Sequence, residues 1–205
     1  MPGSGSFRWV LSAGLPRSAA RNSTLPPLDL RTRLATLEDV PGLNRLIGLA
    51  VRGLSADYYT PAQIESALRY LFGIDTQLVA DGTYYVAEAD GQLAGCGGWS
   101  RRQTLYGGDQ HKTTTDPLLD PTRDDGRIWA FFVHPAWARR GVGRAIIRVC
   151  EAAAGAAGFR SLALAATLPG EPLYRALGYA AGARSFIHFP DGEQLAIIQL
   201  HKLLP

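Results

Sequence analysis

The sequence predicts an α/β fold: a mixed, mainly antiparallel central sheet of about seven strands, flanked by helices, with one β-α-β crossover in the middle. Three observations carry this expectation. Short apolar runs bounded by turn residues alternate with stretches of helical periodicity. Two pairs of runs are joined by tight-turn residues, as hairpins are. In the middle of the chain one pair, Ile128 to Val133 and Ser161 to Thr167, is separated by a single full-length helical pattern, which is what a parallel connection needs.

Leu30 to Leu34 reads as the first strand. Thr36 then caps a helix with Asp39 in its first turn, and Val40, Leu43, Ile47, Ala50 and Val51 supply its apolar stripe. A second helix opens at Thr60-Pro61-Ala62-Gln63, where cap, first-turn proline and third-position glutamine agree on one start. Its buried face is Ile64, Ala67, Leu68, Leu71 and Phe72. Thr83 to Glu88 and Gln92 to Trp99 form a hairpin through Asp90-Gly91, a pair that tolerates positive φ. Tyr106 to Gly126 is polar and rich in turn dipeptides, so it reads as a long loop of functional type. Ile128 to Val133 reads as a fully buried strand stopped by His134-Pro135. A helix from about Val142 carries Ile146, Val149, Cys150, Ala153 and Ala157 on one stripe and ends at Gly158. Ser161 to Thr167 is a second buried strand, and Pro172 to Leu177 a short helix closed by Gly178. Arg184 to Phe189 and Gln194 to Lys202 make a last hairpin around Pro190-Asp191-Gly192.

Composition removes several function classes. The formal charge is +3, but Arg8, Arg17 and Arg21 precede the first acidic residue, Asp29. Without these three of the 21 basic residues, the rest balance the 18 acidic ones, so no broad nucleic-acid-binding face is expected. Cys96 and Cys150 are far apart and read as small buried thiols of a reducing compartment, the cytoplasm. His111, His134, His188 and His201 show no metal-ligand spacing, so no metal is expected. No apolar run reaches the ~18 residues of a membrane span. Residues 1–28, rich in Ser, Gly, Pro and Arg, read as a disordered N-terminal extension, and residues 29–205 as one domain.

The most specific chemistry lies at the crossover. Residues 133–144 read Val-His-Pro-Ala-Trp-Ala-Arg-Arg-Gly-Val-Gly-Arg: a strand end, a glycine turn and a helix N-terminus. The first amides of such a helix lack intrahelical partners and carry about half a positive charge. Gly141 and Gly143 let an anion approach the backbone, and Arg139, Arg140 and Arg144 add charge, so a pyrophosphate cradle is expected. A P-loop would need Gly-Lys-Ser/Thr, yet Gly143 is followed by Arg144-Ala145. A Rossmann turn would need a third glycine where Ile146 stands and an acid on the strand Leu162 to Thr167, which has none.

The run V-H-P-x-W-x-R-R-G-x-G-R after a buried strand resembles the acyl-CoA-binding signature of the GNAT superfamily of N-acetyltransferases. Leu173-Tyr174-Arg175-Ala176-Leu177-Gly178-Tyr179 is similar to that family's Y-x-x-x-G-F/Y segment, and the element order agrees over roughly Leu30 to Leu203. The resemblance implies an N-acetyltransferase using acetyl-CoA as donor, with Arg139, Arg140, Gly141, Val142, Gly143 and Arg144 on the CoA pyrophosphate. It implies that Phe131, Phe132 and Val133 pair by main chain with the pantetheine arm, and that the thioester lies where this strand splays from the next. The Val133 amide would then polarise the thioester carbonyl. Arg144 and Arg148, one helical turn apart, are in position for the CoA 3′-phosphate. The sequence departs from the family at Ala138, where Arg or Gln is usual, and at Thr167, where Asn is frequent.

Acetylating an amine requires a neutral nucleophile, a stabilised oxyanion and a protonated leaving thiolate. Tyr174 is the candidate acid for the thiolate. Glu88, His134, Asp57 and a water chain are equal candidates for the base. The acceptor side is expected from Asp57-Tyr58-Tyr59, the strand end Trp99-Ser100-Arg101-Arg102 and the loop bearing His111. The acceptor is expected to be a small-molecule amine attacking directly, since neither cysteine sits in a nucleophile motif. An acyl-CoA sensor without turnover and a protein acetyltransferase are the alternatives. The oligomeric state stays open, and the edge of the C-terminal hairpin offers a homodimer a strand to pair with.

Overall fold

The structure, a computed structural model, describes residues 29–103, 107–109 and 116–205. Seven strands form one sheet: β1 (Leu30–Leu34), β2 (Tyr84–Ala89), β3 (Gln92–Ser100), β4 (Gly126–Val133), β5 (Ser161–Thr167), β6 (Ala180–His188) and β7 (Gln194–Leu203). Their spatial order is β1-β2-β3-β4-β5-β7-β6, with β4–β5 the parallel pair and every other neighbour antiparallel. The last strand thus inserts beside β5 and leaves β6 and β1 as edges.

Alternation along the strands divides the interior into two cores. On one face, α1 (Val40–Ser55), α2 (Pro61–Tyr70) and α3 (Thr76–Ala80) pack Leu43, Ile47, Val51, Ile64, Ala67 and Leu78 against Tyr84, Val86, Cys96, Trp129, Leu195 and Ile197. On the other, α4 (Val142–Ala156) and α5 (Glu171–Arg175) pack Ile146, Ile147, Cys150, Ala154 and Tyr174 against Ala87, Ala94, Ile128, Leu162, Leu164 and Leu200. The helix starts follow the sequence: Gln63 N–H donates to Thr60 Oγ1 (3.2 Å) while Thr60 N–H donates to Gln63 Oε1 (3.1 Å). Asp90 and Gly91 both take positive φ in the hairpin turn.

Four expectations are corrected. The chain between α2 and β2 contains α3, whose cap is Asp75, its carboxylate accepting from Gln77 N–H (3.1 Å). Thr36 caps a short 3₁₀ turn, Leu37–Asp39, and α1 itself starts at Val40. Ala157 is exposed beyond the end of α4, and Ile147 and Ala154 occupy the stripe instead. Neither central strand is fully buried: β5 alternates, and Ala130 to Val133 are half-buried because one edge of β4 is open.

Tyr59, in the α1–α2 connection, is 7% exposed, and its hydroxyl donates to the Ala196 carbonyl (2.7 Å) and accepts from Leu168 N–H (2.7 Å). It ties the helical layer to β7 and to the turn after β5. Burial pushes this phenol up to about 12 from an ordinary value of 10.0. An unfolded Tyr59 therefore ionises first, so its contribution to stability is complete below pH 10 and is lost as pH rises towards 12. Tyr59→Phe is expected to cost about 1–3 kcal/mol at neutral pH, and the gap to the parent protein should narrow between pH 10 and 12. Urea unfolding across that range measures both.

Candidate functional site

β4 and β5 pair only at Gly126↔Leu162 and Arg127↔Ala163. Beyond these two registers the strands separate, and the gap opens a cavity of about 730 Å³. Its walls include Phe131, Val133, Leu173 and Tyr174 from the α4–α5 face and Leu71, Phe72, Phe132, Ile187 and Ile197 from the α1–α2 face. The cavity thus runs through the sheet from one core to the other.

β4 is shaped to border this gap. A bulge sets Ala130 and Phe131 opposite the single residue Gly97, with Ala130 at φ 49°. The Ala130 carbonyl accepts from the buried Tyr84 hydroxyl (2.9 Å), which holds the bulge in place. Further along, His134 N–H donates to the Ala94 carbonyl of β3 (2.9 Å). Strand alternation then turns the N–H of Val133 away from β3, towards the gap.

At the α4 mouth stands the glycine turn. Gly141 is in the left-handed region, φ 91°, and a Cβ there would meet nothing within 4 Å, so the bend is open. The first bond of the helix runs from Ala145 N–H to the Gly141 carbonyl (3.0 Å). The amides of the first turn, Val142 to Arg144, have no partner within the helix. Arg139, Gly141, Val142, Gly143 and Arg144 all border the cavity. Arg140 does not: its guanidinium sits 4.4 Å over the Trp137 ring. Arg144 and Arg148 are exposed on α4.

Tyr174 is 6% exposed and lines the cavity between edge-to-face contacts with Phe131 (6.2 Å) and Tyr179 (5.7 Å). Burial raises its phenol well above the ordinary range, so it stays a proton donor at any physiological pH. Phe131, Phe132, Ala138 and Thr167 also border the space.

The candidate bases do not converge on it. Glu88 is held by Arg33 at the β1 edge (2.8 Å), where Arg33 also grips Asp39 and draws that carboxyl down to about 2. His134 accepts the Ala136 amide at its Nδ1 (3.2 Å), and Asp57 is exposed outside the walls. Among the described residues expected on the acceptor side, Tyr58 and Gly107 of the long loop line the cavity. Tyr59 is consumed by its main-chain bonds, Trp99 packs on Phe159 in the far core, and Arg102 forms a half-buried pair with Asp81 (2.7 Å). His111 falls outside the described residues. The cavity walls on the α1–α2 side missing from the sequence reading are Leu54, Ser55, Gly73, Ile187 and Ile197, with Phe72 assigned there only to a helix face. The Phe72-Gly73 break after α2 is the one local signal that marks them.

The sequence matches the acetyltransferase (GNAT) family over residues 49–179. The chain belongs to that family. GNAT proteins also supply its structural neighbours. A GCN5-related N-acetyltransferase from Rhodopseudomonas palustris superposes with TM-score 0.62 at 25% identity, over 86% of this chain and 96% of that one. The PaiA N-acetyltransferase from Thermoplasma acidophilum, in complex with coenzyme A, does so at 0.58 and 14%, over 85% and 98%. N-acetylglutamate synthase from Neisseria gonorrhoeae, complexed with coenzyme A and N-acetyl-glutamate, gives 0.53 and 18%, over 86% of this chain and 35% of the other. No curated protein matches the sequence. The seven-stranded mixed sheet with helices on both faces is the GNAT fold, as the sequence predicts.

The Gly97–Phe131 contact gives a test of the wall itself. A Cβ on Gly97 would lie 2.6 Å from the Phe131 ring, which must then leave its place beside Tyr174. Gly97→Ala is expected to lower stability by about 1–3 kcal/mol. Thermal unfolding measures the loss.

Proposed function

We propose that this GNAT protein transfers the acetyl group of acetyl-CoA to the amine of a small molecule by direct attack. The observation that carries the reading is the open bend at Gly141 and the N-terminus of α4, whose first residues Val142 to Arg144 border a gap that crosses the sheet. An anion at that bend meets backbone donors, the positive end of α4, and the guanidinium groups of Arg139 and Arg144. These groups fit a diphosphate. The open edge of β4 fits an extended amide-bearing arm, because its unpaired main chain can bond one as a strand would.

In this reading the acyl carbon gains a C–N bond and loses its C–S bond, yielding an acetamide and free CoA thiol. Val133 N–H, aimed into the gap, donates to the carbonyl oxygen as negative charge develops. Tyr174 donates its proton to the departing sulfur. The proton released by the amine passes to water, since the described walls hold no carboxylate or imidazole. A covalent enzyme intermediate has no support. Cys96 and Cys150 are both buried away from the cavity, and burial pushes the Cys96 thiol up to about 12.

Two substitutions test separate parts. Tyr174→Phe should lower kcat by about 10²–10⁴-fold, with acetyl-CoA affinity in calorimetry unchanged; unchanged turnover removes Tyr174 from the chemistry. Gly141→Glu places a carboxylate and a strained φ at the bend and should abolish acetyl-CoA binding. Binding without release of thiol across a panel of amines would identify a sensor instead of an enzyme.

A further inference from the structure

The part of the cavity on the α1–α2 face is a second chemical environment, distinct from the cradle. Its walls are Leu54 and Tyr58 from the end of α1 and the segment that follows, Leu71 and Phe72 after α2, Ile187 of β6 and Ile197 of β7. Phe72 stands edge-to-face on Phe132 with ring centres 5.6 Å apart, so an aromatic corner closes one side. Among the described residues, the side chains with polar atoms bordering this part are Ser55, Tyr58, Thr167 and Trp129, all of them uncharged. Among the described residues, the only charged side chains on the cavity wall are Arg139 and Arg144, at the cradle.

From these walls we infer that the acceptor is a compact apolar monoamine: one aryl or branched alkyl group, one amine, and no second charge. This rests on the acetyl-transfer reading above and names its substrate class. Burying apolar surface against Leu54, Phe72 and Ile187 favours such a molecule by the area removed from water. A carboxylate on the acceptor would enter this environment with no cation among the described walls to meet it. It could reach Arg139 or Arg144 only by competing with the diphosphate. A second ammonium would find no carboxylate there either. Uncharged hydroxyls suit the reacting amine, because they can accept or donate a hydrogen bond without fixing the ammonium form.

Matched amines test the inference. Thiol release is measured with acetyl-CoA and 2-phenylethylamine against L-phenylalanine, which adds only a carboxylate, and with pentylamine against 1,5-diaminopentane, which adds only a second ammonium. A tetrapeptide with a free N-terminus is the fifth probe. The expected result is a kcat/KM at least about 100-fold higher for the apolar member of each pair, with the peptide below both. Phe72→Ala should lower kcat/KM for 2-phenylethylamine about 10-fold with acetyl-CoA affinity in calorimetry retained, which shows that the variant is folded. Ile187→Asp, checked in the same way, should move preference towards 1,5-diaminopentane. Equal or higher rates with the charged members or the peptide, or acetyl-CoA binding with no amine accepted, overturn this inference. Absence of acetyl-CoA binding overturns instead the reading on which it rests.

Discussion

Everything that matters at this site depends on the early end of pairing between β4 and β5. Two registers hold the strands together, and past Arg127 and Ala163 their facing backbones diverge. A sheet interior rarely leaves backbone donors and acceptors without partners, because each costs free energy when removed from water. The divergence is sustained by specific devices. The bulge at Ala130 bends β4, the Tyr84 hydroxyl satisfies the Ala130 carbonyl, and Phe131 fills the space that Gly97 leaves free. The far side is held just as firmly, since β5 pairs with β7 along its whole length from Ser161 to Thr167.

The two ends of the cavity differ because the layers above and below the sheet differ. α4 presents its N-terminus, with open amides and arginines, at the end of β4. On the opposite face the ends of α1 and α2 present aliphatic and aromatic side chains. One mouth is thus suited to an anion and the other to apolar surface. Tyr174 borders the same space with its phenol kept neutral by burial.

Local chemistry was legible in the sequence, and tertiary pairing was not. The Thr60 to Gln63 capping box, the Asp90-Gly91 turn and the Gly141 bend each depend on a few adjacent residues whose types have one good geometry. Nine of the ten residues expected at the site border the cavity, and Arg140 alone turns aside to Trp137. By contrast α3 has five residues and a single buried side chain, Leu78, too little for any periodicity to show. The bulge falls on Ala130, which carries no glycine or proline to mark it. The cavity walls on the α1–α2 side come from α1, the segment after α2, β6 and β7, brought together only by the strand order. Arg102 looked available for a ligand because nothing nearby in the sequence shows that Asp81 neutralises it.

The narrow β4–β5 junction also makes the sheet two subassemblies, a four-stranded block from β1 to β4 and a three-stranded block of β5, β7 and β6. An elongated ligand lodged between them, as the proposed function requires, would serve as a surrogate rung, supplying from outside the cohesion that the polypeptide omits. Because it binds only when both blocks stand in register, saturation adds RT ln(1 + [L]/Kd) to the folding equilibrium, about 2.7 kcal/mol at a hundredfold excess over Kd. Resistance to heat and the capacity to bind are, for this architecture, two readings of one seam.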